Sequence, residues 1–165
     1  MPRLSKLIAL YMVLLLAACG FQPLYASKQS ADSSIIQKVR IYPVEERTGQ
    51  ILYNRLNDIL NPYGNPSQAD YKLKSSISIS SSSLGVQSDD TTTRKNSRVQ
   101  VKFTLVHKGS TAKFTIIRNT GYNESDNAYS TEVAENDAIR RNLEEIAEDA
   151  KIRIAALIER KENLD

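Results

Sequence analysis

The chain has no tryptophan, one cysteine (Cys19) and one histidine (His107) among its 165 residues. A single cysteine excludes an internal disulfide and a cysteine-based metal cluster, so this thiol needs another use. Glycine and proline are sparse, at six and five, which excludes a low-complexity chain. Neither H-E-x-x-H nor a glycine-rich phosphate loop occurs. A strong excess of one charge is also lacking. The formal net charge is +3, and Arg3 and Lys6 supply two of those charges near the start. The remainder is close to neutral, which argues against nucleic acid as the main partner. No apolar run reaches the roughly 20 residues that a helix needs to cross a bilayer. Leu7 to Leu16 has the length of a signal-peptide core instead.

That core is flanked as an export signal is. Arg3 and Lys6 precede it, and Leu16-Ala17-Ala18-Cys19 closes it with small residues just ahead of the cysteine. The arrangement predicts a lipoprotein signal peptide over residues 1–18, cut before Cys19. The thiol is the nucleophile that accepts a diacylglycerol, and cleavage leaves Cys19 as the first mature residue, ready for an N-acyl chain. One acyl chain binds a membrane only marginally, whereas two or more hold firmly. The other reading is an uncleaved signal anchor with an incidental cysteine, and the Leu-Ala-Ala-Cys junction weighs against it. Gly20, rather than aspartate, follows the cysteine, which favours delivery to the outer of two membranes.

Residues 19–34 have the make-up of a lipidated tether, although Phe21 to Tyr25 are apolar enough to pack on the body or the bilayer. Residues 35–165 suffice for a single domain with its own core. Val39 and Ile41 alternate with Arg40 and Tyr42 in a short strand that ends at Pro43. Thr48 can cap a helix over Gln50 to Leu60, with Leu52, Leu56, Ile59 and Leu60 on one face. Asn61-Pro62 and Gly64 stop it. Three alternating runs follow. Tyr71, Leu73, Ile77 and Ile79 point one way in the first, opposite Lys72, Lys74, Ser76 and Ser78. Val99, Val101, Phe103 and Leu105 do so in the second, and Ala112, Phe114 and Ile116 in the third. Such alternation means one buried and one polar face. The serine-rich run from Ser75 to Ser83 sits in the first. Gly85 to Asn96 reads as a polar connection and Lys108-Gly109-Ser110 as a tight turn. Past Ile117 the alternation is less clear, and Tyr122 can end the strand.

The last segment carries the longest helical pattern. Ser130 or Thr131 can cap it, and Glu132 and Glu135 favour its positive end. Ile139, Leu143, Ile146, Ala150, Ile154 and Leu157 form its apolar stripe. Arg140–Glu144, Arg141–Glu145 and Asp149–Arg153 are spaced as ion pairs on its wet side. The order strand, helix, three strands, helix predicts an α+β two-layer sandwich, with two amphipathic helices on one face of a roughly four-stranded mixed sheet.

Little in the chain has the look of catalysis. His107 stands beside a turn and reads as an exposed turn histidine. Asp89-Asp90 and Glu45-Glu46 read as solvated pairs rather than metal or acid–base sites. The basic cluster Arg94, Lys95 and Arg98, with Lys102 further along, has one functional reading as an anion site for a lipid head group, because arginine forks suit phosphate and carboxylate oxygens. The other reading is a charged strand end that keeps the sheet soluble.

The heptapeptide Cys19-Gly20-Phe21-Gln22-Pro23-Leu24-Tyr25 resembles the C-G-F-x-P-L-Y start seen in one branch of the LPS-assembly lipoprotein family LptE. Arg47-Thr48-Gly49-Gln50-Ile51-Leu52, with Leu56 and Leu60, is similar to that family's first-helix segment. The order of elements resembles it over essentially the whole mature chain. The resemblance implies a non-enzymatic outer-membrane lipoprotein that plugs and helps assemble the LptD β-barrel and helps deliver lipopolysaccharide to the cell surface. It also implies lipopolysaccharide binding by basic residues at one end of the sheet, where Arg94 and Lys95 could serve. No metal or cofactor beyond the lipid on Cys19 is expected. A stand-alone lipid carrier would need an apolar cavity instead, and a hydrolase would need His107 in a cleft beside a serine and a carboxylate.

Overall fold

A computed structural model describes residues 37–83 and 93–162. The predicted signal peptide, the tether, Asp89-Asp90 and the first part of the predicted 85–96 connection lie outside the described residues. Six elements follow in the order β1 (Val39–Ile41), α1 (Glu46–Leu60), β2 (Tyr71–Ser83), β3 (Thr93–His107), β4 (Ser110–Glu124) and α2 (Ala128–Glu162). They form one sheet in the order β1-β2-β3-β4. β1 and β2 are parallel and joined through α1, as parallel neighbours require a crossover. The other pairings are antiparallel. Both helices cover the same face, so the predicted α+β sandwich on an open, mixed sheet is the observed architecture.

Period two governs the three long strands. Tyr71 and Leu73 of β2, Val99, Val101, Phe103 and Leu105 of β3, and Ile116 and Tyr122 of β4 are buried under the helices. α1 adds Leu52, Leu56 and Leu60, and α2 adds Leu143, Ile146, Ala150, Ile154 and Ile158. The β3–β4 hairpin turns on Lys108 and Gly109 alone, with φ of 43° and 83°. Two successive positive φ values match the right-handed twist of the flanking strands.

β4 keeps its alternation through to Glu124. The sequence pattern fades after Ile117 because two inward positions, Arg118 and Thr120, are polar. Each is satisfied by α2. Arg118 reaches two carboxylates one helical turn apart, Glu145 at 3.5 Å and Asp149 in a shorter contact. The Thr120 hydroxyl donates to Asn142 Oδ1 at 2.7 Å, and Asn142 Nδ2 donates to the Ser97 carbonyl at 3.2 Å. Asn142 is fully buried, so its partners replace the water it has lost.

These contacts rearrange the expected helix pairs. Arg140–Glu144 forms at 3.0 Å. Arg141 pairs with Asp137 rather than Glu145. Arg118 takes Asp149 away from Arg153, which turns to the Thr115 carbonyl at 3.4 Å. The helix starts also differ from expectation. α1 begins at Glu46, ahead of the expected Thr48 cap, and its flanking Glu45 makes no side-chain cap bond. The incoming chain presses on the first turn, and a Cβ on Gly49 would lie 2.6 Å from the Val44 carbonyl oxygen. Only glycine admits that approach. At α2 the cap is Asn127, whose Oδ1 accepts from the amides of Tyr129 at 2.9 Å and Ser130 at 3.4 Å. Thr131 instead ties back to the Ser125 amide and carbonyl.

Asn142→Ala should cost about 1–3 kcal/mol in urea unfolding, because it leaves the Ser97 carbonyl and the Thr120 hydroxyl without their partner. Arg140→Ala, on the exposed side of the same helix, should change stability by less than about 1 kcal/mol. Equal losses from the two substitutions would mean that Asn142 does not fasten helix to sheet.

Candidate functional site

Strand alternation divides the basic cluster. β3 begins at Thr93, so Arg94 and Lys95 lie within the strand, as Arg98 does, rather than in the connection expected over Gly85 to Asn96. Arg94 and Arg98 point to the open face and are exposed. Lys95 points to the helix face, where its ammonium donates to Glu124 Oε1 at 2.6 Å. That hydrogen bond holds the Lys95 ammonium above the usual lysine range, against a smaller opposing effect of desolvation. Nearby, Ser81 donates to Glu135, and burial pushes the Tyr122 hydroxyl above its ordinary value. Lys95 therefore belongs to a polar cluster under the N-terminal part of α2.

The open face has a marked composition. Its outward cations are Arg40 of β1, Lys72 and Lys74 of β2, Arg94, Arg98 and Lys102 of β3, and Lys113 of β4. Among the described residues no outward position of the sheet holds an aspartate or glutamate. Along β3 the cations recur every fourth residue, about 13 Å apart at the rise of a strand. Lys74, Thr104 and Lys113 lie side by side across three strands. With Lys102 they border a shallow depression of 370 Å³. The Tyr42 ring lies 5.5 Å from both the Arg40 guanidinium and the Lys74 ammonium. The alternation of Lys72, Lys74, Lys102 and Lys113 was visible in the sequence, but their grouping depends on the cross-strand register.

His107 corrects its expected exposure. The same alternation that buries Leu105 carries His107 inward, to 8 % exposure. Its ring stacks on Tyr71 with centroids 4.3 Å apart, and Nδ1 lies 3.0 Å from the Asp70 carbonyl oxygen. It borders a mostly apolar pocket of 230 Å³ with Leu105, Ser110, Ala112 and Leu157, and with Arg160 and Lys161 also on its wall. Ser110 gives this pocket a serine, yet among the described residues no carboxylate lines it. Nor do three His, Asp or Glu side chains gather as a metal site among the described residues. No described helix is long and apolar enough to cross a membrane.

The sequence model of the lipopolysaccharide-assembly family LptE matches residues 36–154. Among solved structures, one from Caulobacter crescentus CB15 described as a lipoprotein superposes with a TM-score of 0.62 at 21% identity, covering 78% of this chain and 96% of that one. Rare lipoprotein B from Shewanella oneidensis superposes with a TM-score of 0.55 at 14% identity, covering 76% and 98%. At such identities the likeness is one of fold. No curated protein matches the chain.

The Lys95–Glu124 contact is testable by titration. Because the folded pKa of Lys95 is raised, its contribution to stability is complete below the ordinary lysine pKa and is lost as pH rises through the folded value. In Glu124→Gln, NMR of the Lys95 side chain should show the ammonium titrating at lower pH than in the wild type. An unchanged titration would remove Glu124 as the cause.

Proposed function

The chain belongs to the LptE family of lipopolysaccharide-assembly lipoproteins, and on that premise we propose that it plugs and supports the LptD β-barrel of the outer membrane. In this role it helps deliver lipopolysaccharide to the outer leaflet and does no covalent chemistry. Membership itself carries a role in lipopolysaccharide assembly in the Gram-negative envelope. The observation that supports the plug reading is the sheet face left open by both helices. Apart from Val106 and Ile117, it is polar along the outward positions of strands of 13 and 15 residues. A barrel lumen is polar and water-lined, so a body placed inside it needs such a surface.

The carrier alternative is less well supported. Small-molecule pockets commonly enclose about 300–1,000 Å³, and the apolar pocket beside His107 encloses 230 Å³. For lipopolysaccharide itself, Arg94 and Arg98 are the members of the predicted cluster that reach the open face and can present guanidinium forks to phosphate. Lys95 is engaged by Glu124 on the other side. Cys19, outside the described residues, is the proposed lipid anchor.

The protein should co-purify with the LptD barrel from detergent extracts of membranes. Recovery as a free monomer, from cells making the barrel at normal levels, would count decisively against the plug. Arg94→Asp combined with Arg98→Asp should weaken lipopolysaccharide binding about tenfold or more, the size of one lost charge-assisted hydrogen bond. Unchanged binding in a folded double variant would reduce these cations to a solubility device. Cys19→Ser should keep its first 18 residues and carry no lipid. A variant of mature size, still lipidated, would overturn the assignment of the anchor.

A further inference from the structure

The part of the open face toward the Lys108–Gly109 turn holds Arg40, Lys72, Lys74, Lys102 and Lys113, and its chemistry differs from the Arg94 end. Lysines predominate, and three of them border one depression. Among the described residues no carboxylate lies within ion-pair distance of Lys72, Lys74, Lys102 or Lys113. The described aspartates and glutamates lie on the helices, in the connections or, in Glu124, on the helix face of the sheet. A chain of nearly neutral charge thus has a helix side of mixed sign, where Arg47, Arg55, Arg140, Arg141 and Arg153 stand among the carboxylates, and an open side that carries base alone.

Solubility alone does not require this arrangement. Mixed charges keep a surface soluble, and edge protection calls for charge on the edge strands. Lys72 and Lys102 have a paired strand on both sides, and only Lys74, just past the end of β1, and Lys113, on β4, stand on an edge. Like charges gathered without counter-charges repel one another, a cost that an opposite surface removes. The chemistry of that surface can be read from the neighbours. Between the cations stand Ser76, Thr104, Thr111 and Thr115, and the outward aliphatic side chains are Val106 and, at the middle of β4, Ile117. Acyl chains find little apolar ground there, since Phe103 and Phe114, which also line the depression, belong to the helix face of the sheet. The depression is shallow and open, and lysine is a hydrated point charge rather than a rigid fork. These properties suit a broad, wet, acidic protein surface.

We propose that this half of the open sheet face docks on an acidic, hydrated protein wall. Resting on the plug reading above, that wall is the inner surface of the barrel. The helix side, whose carboxylates are interleaved with arginines and lysines, faces away from it. Electrostatic complementarity then sets which side of the plug meets the wall, and the contact weakens as salt rises.

The test uses the full lipidated chain made together with its barrel. Lys74→Glu, Lys102→Glu and Lys113→Glu in combination should lower recovery of the barrel at least tenfold. The corresponding triple change to Gln should give a smaller loss, and the wild-type complex should weaken with salt. A photocrosslinking residue in place of Thr104, at the centre of the face, should join to the barrel. If the Glu triple variant melts like the wild type and still retains the barrel, the docking face is wrong although the plug reading stands. If the wild type itself retains no barrel, the plug reading fails, and this inference with it. If the Glu variant does not fold, the Gln variant and the crosslink decide. Undiminished recovery with the Gln variant, or a crosslink to lipopolysaccharide in place of the barrel, would overturn the proposal.

Discussion

Strands of 13 and 15 residues present a helix-facing surface about 45–50 Å long, and α1, at 15 residues, is about 22 Å long. Only α2, with 35 residues and a length of about 52 Å, can cover the whole hairpin. It runs antiparallel to β4, and its contacts form a ladder. Glu135 meets Ser81, Asn142 meets Thr120 and Ser97, Asp149 meets Arg118, and Arg153 meets the Thr115 carbonyl. Leu157 then lines the pocket beside Ala112 and His107. Apolar burial supplies the main attraction, while the polar rungs fix the helix in one register. A slip of one residue in β4 would turn Arg118 and Thr120 outward and destroy the ladder.

The same constraint produces the division of charge. α2 spends carboxylates on the sheet, at Glu145 and Asp149, and on its own arginines, at Asp137 and Glu144. Arg55 of α1 adds a bridge to Glu148 at 2.5 Å, half-exposed at both ends and so worth at most about 1 kcal/mol. Arg140 holds the Asp137 carboxyl below the usual range. The described acid is thereby kept off the open face and interleaved with arginines and lysines on the helix side. The outward strand positions keep their lysines and arginines without acidic neighbours. Overall charge near neutrality conceals this polarity, which appears only when residues are assigned to faces.

Much of the fold was legible in the sequence because its signals are local and periodic. Val99, Val101, Phe103 and Leu105 reveal β3 by alternation, Lys108-Gly109 reveals the turn, and Leu143, Ile146, Ala150 and Ile154 reveal α2. What was not legible depends on contacts between distant residues. Thr48 resembles a cap, but α1 already starts at Glu46, with Val44 lying against Gly49. Asp149 and Arg153 have ion-pair spacing, but Arg118 lies 31 residues from Asp149 and wins it. Arg94, Lys95 and Arg98 form one cluster in the sequence because adjacency in a string hides alternation in a strand. His107 follows the same rule in reverse. A residue next to a turn looks exposed, yet its odd position in β3 places it opposite Tyr71 and under cover.

The serine-rich run takes its meaning from the same register. Ser76, Ser78, Ser80 and Ser82 stand on the open face directly opposite Lys102, Gln100, Arg98 and Asn96. Cross-strand neighbours have Cβ atoms about 4.5–5.5 Å apart, so bulky side chains on β2 would crowd the long cations of β3. Serine leaves them room and adds no charge to neutralise them. On the helix side, Ile77 and Ile79 still supply apolar packing, and Ser81 meets Glu135. One strand therefore meets two demands through period two. Its inward positions join the core and the polar seam, while its outward positions form a low lane beside a row of cations. Replacing those outward serines with large apolar residues would keep the alternation but cover the charged surface. The unusual composition thus reflects the open face more than the fold, since strand formation alone would be better served by valine, isoleucine or threonine.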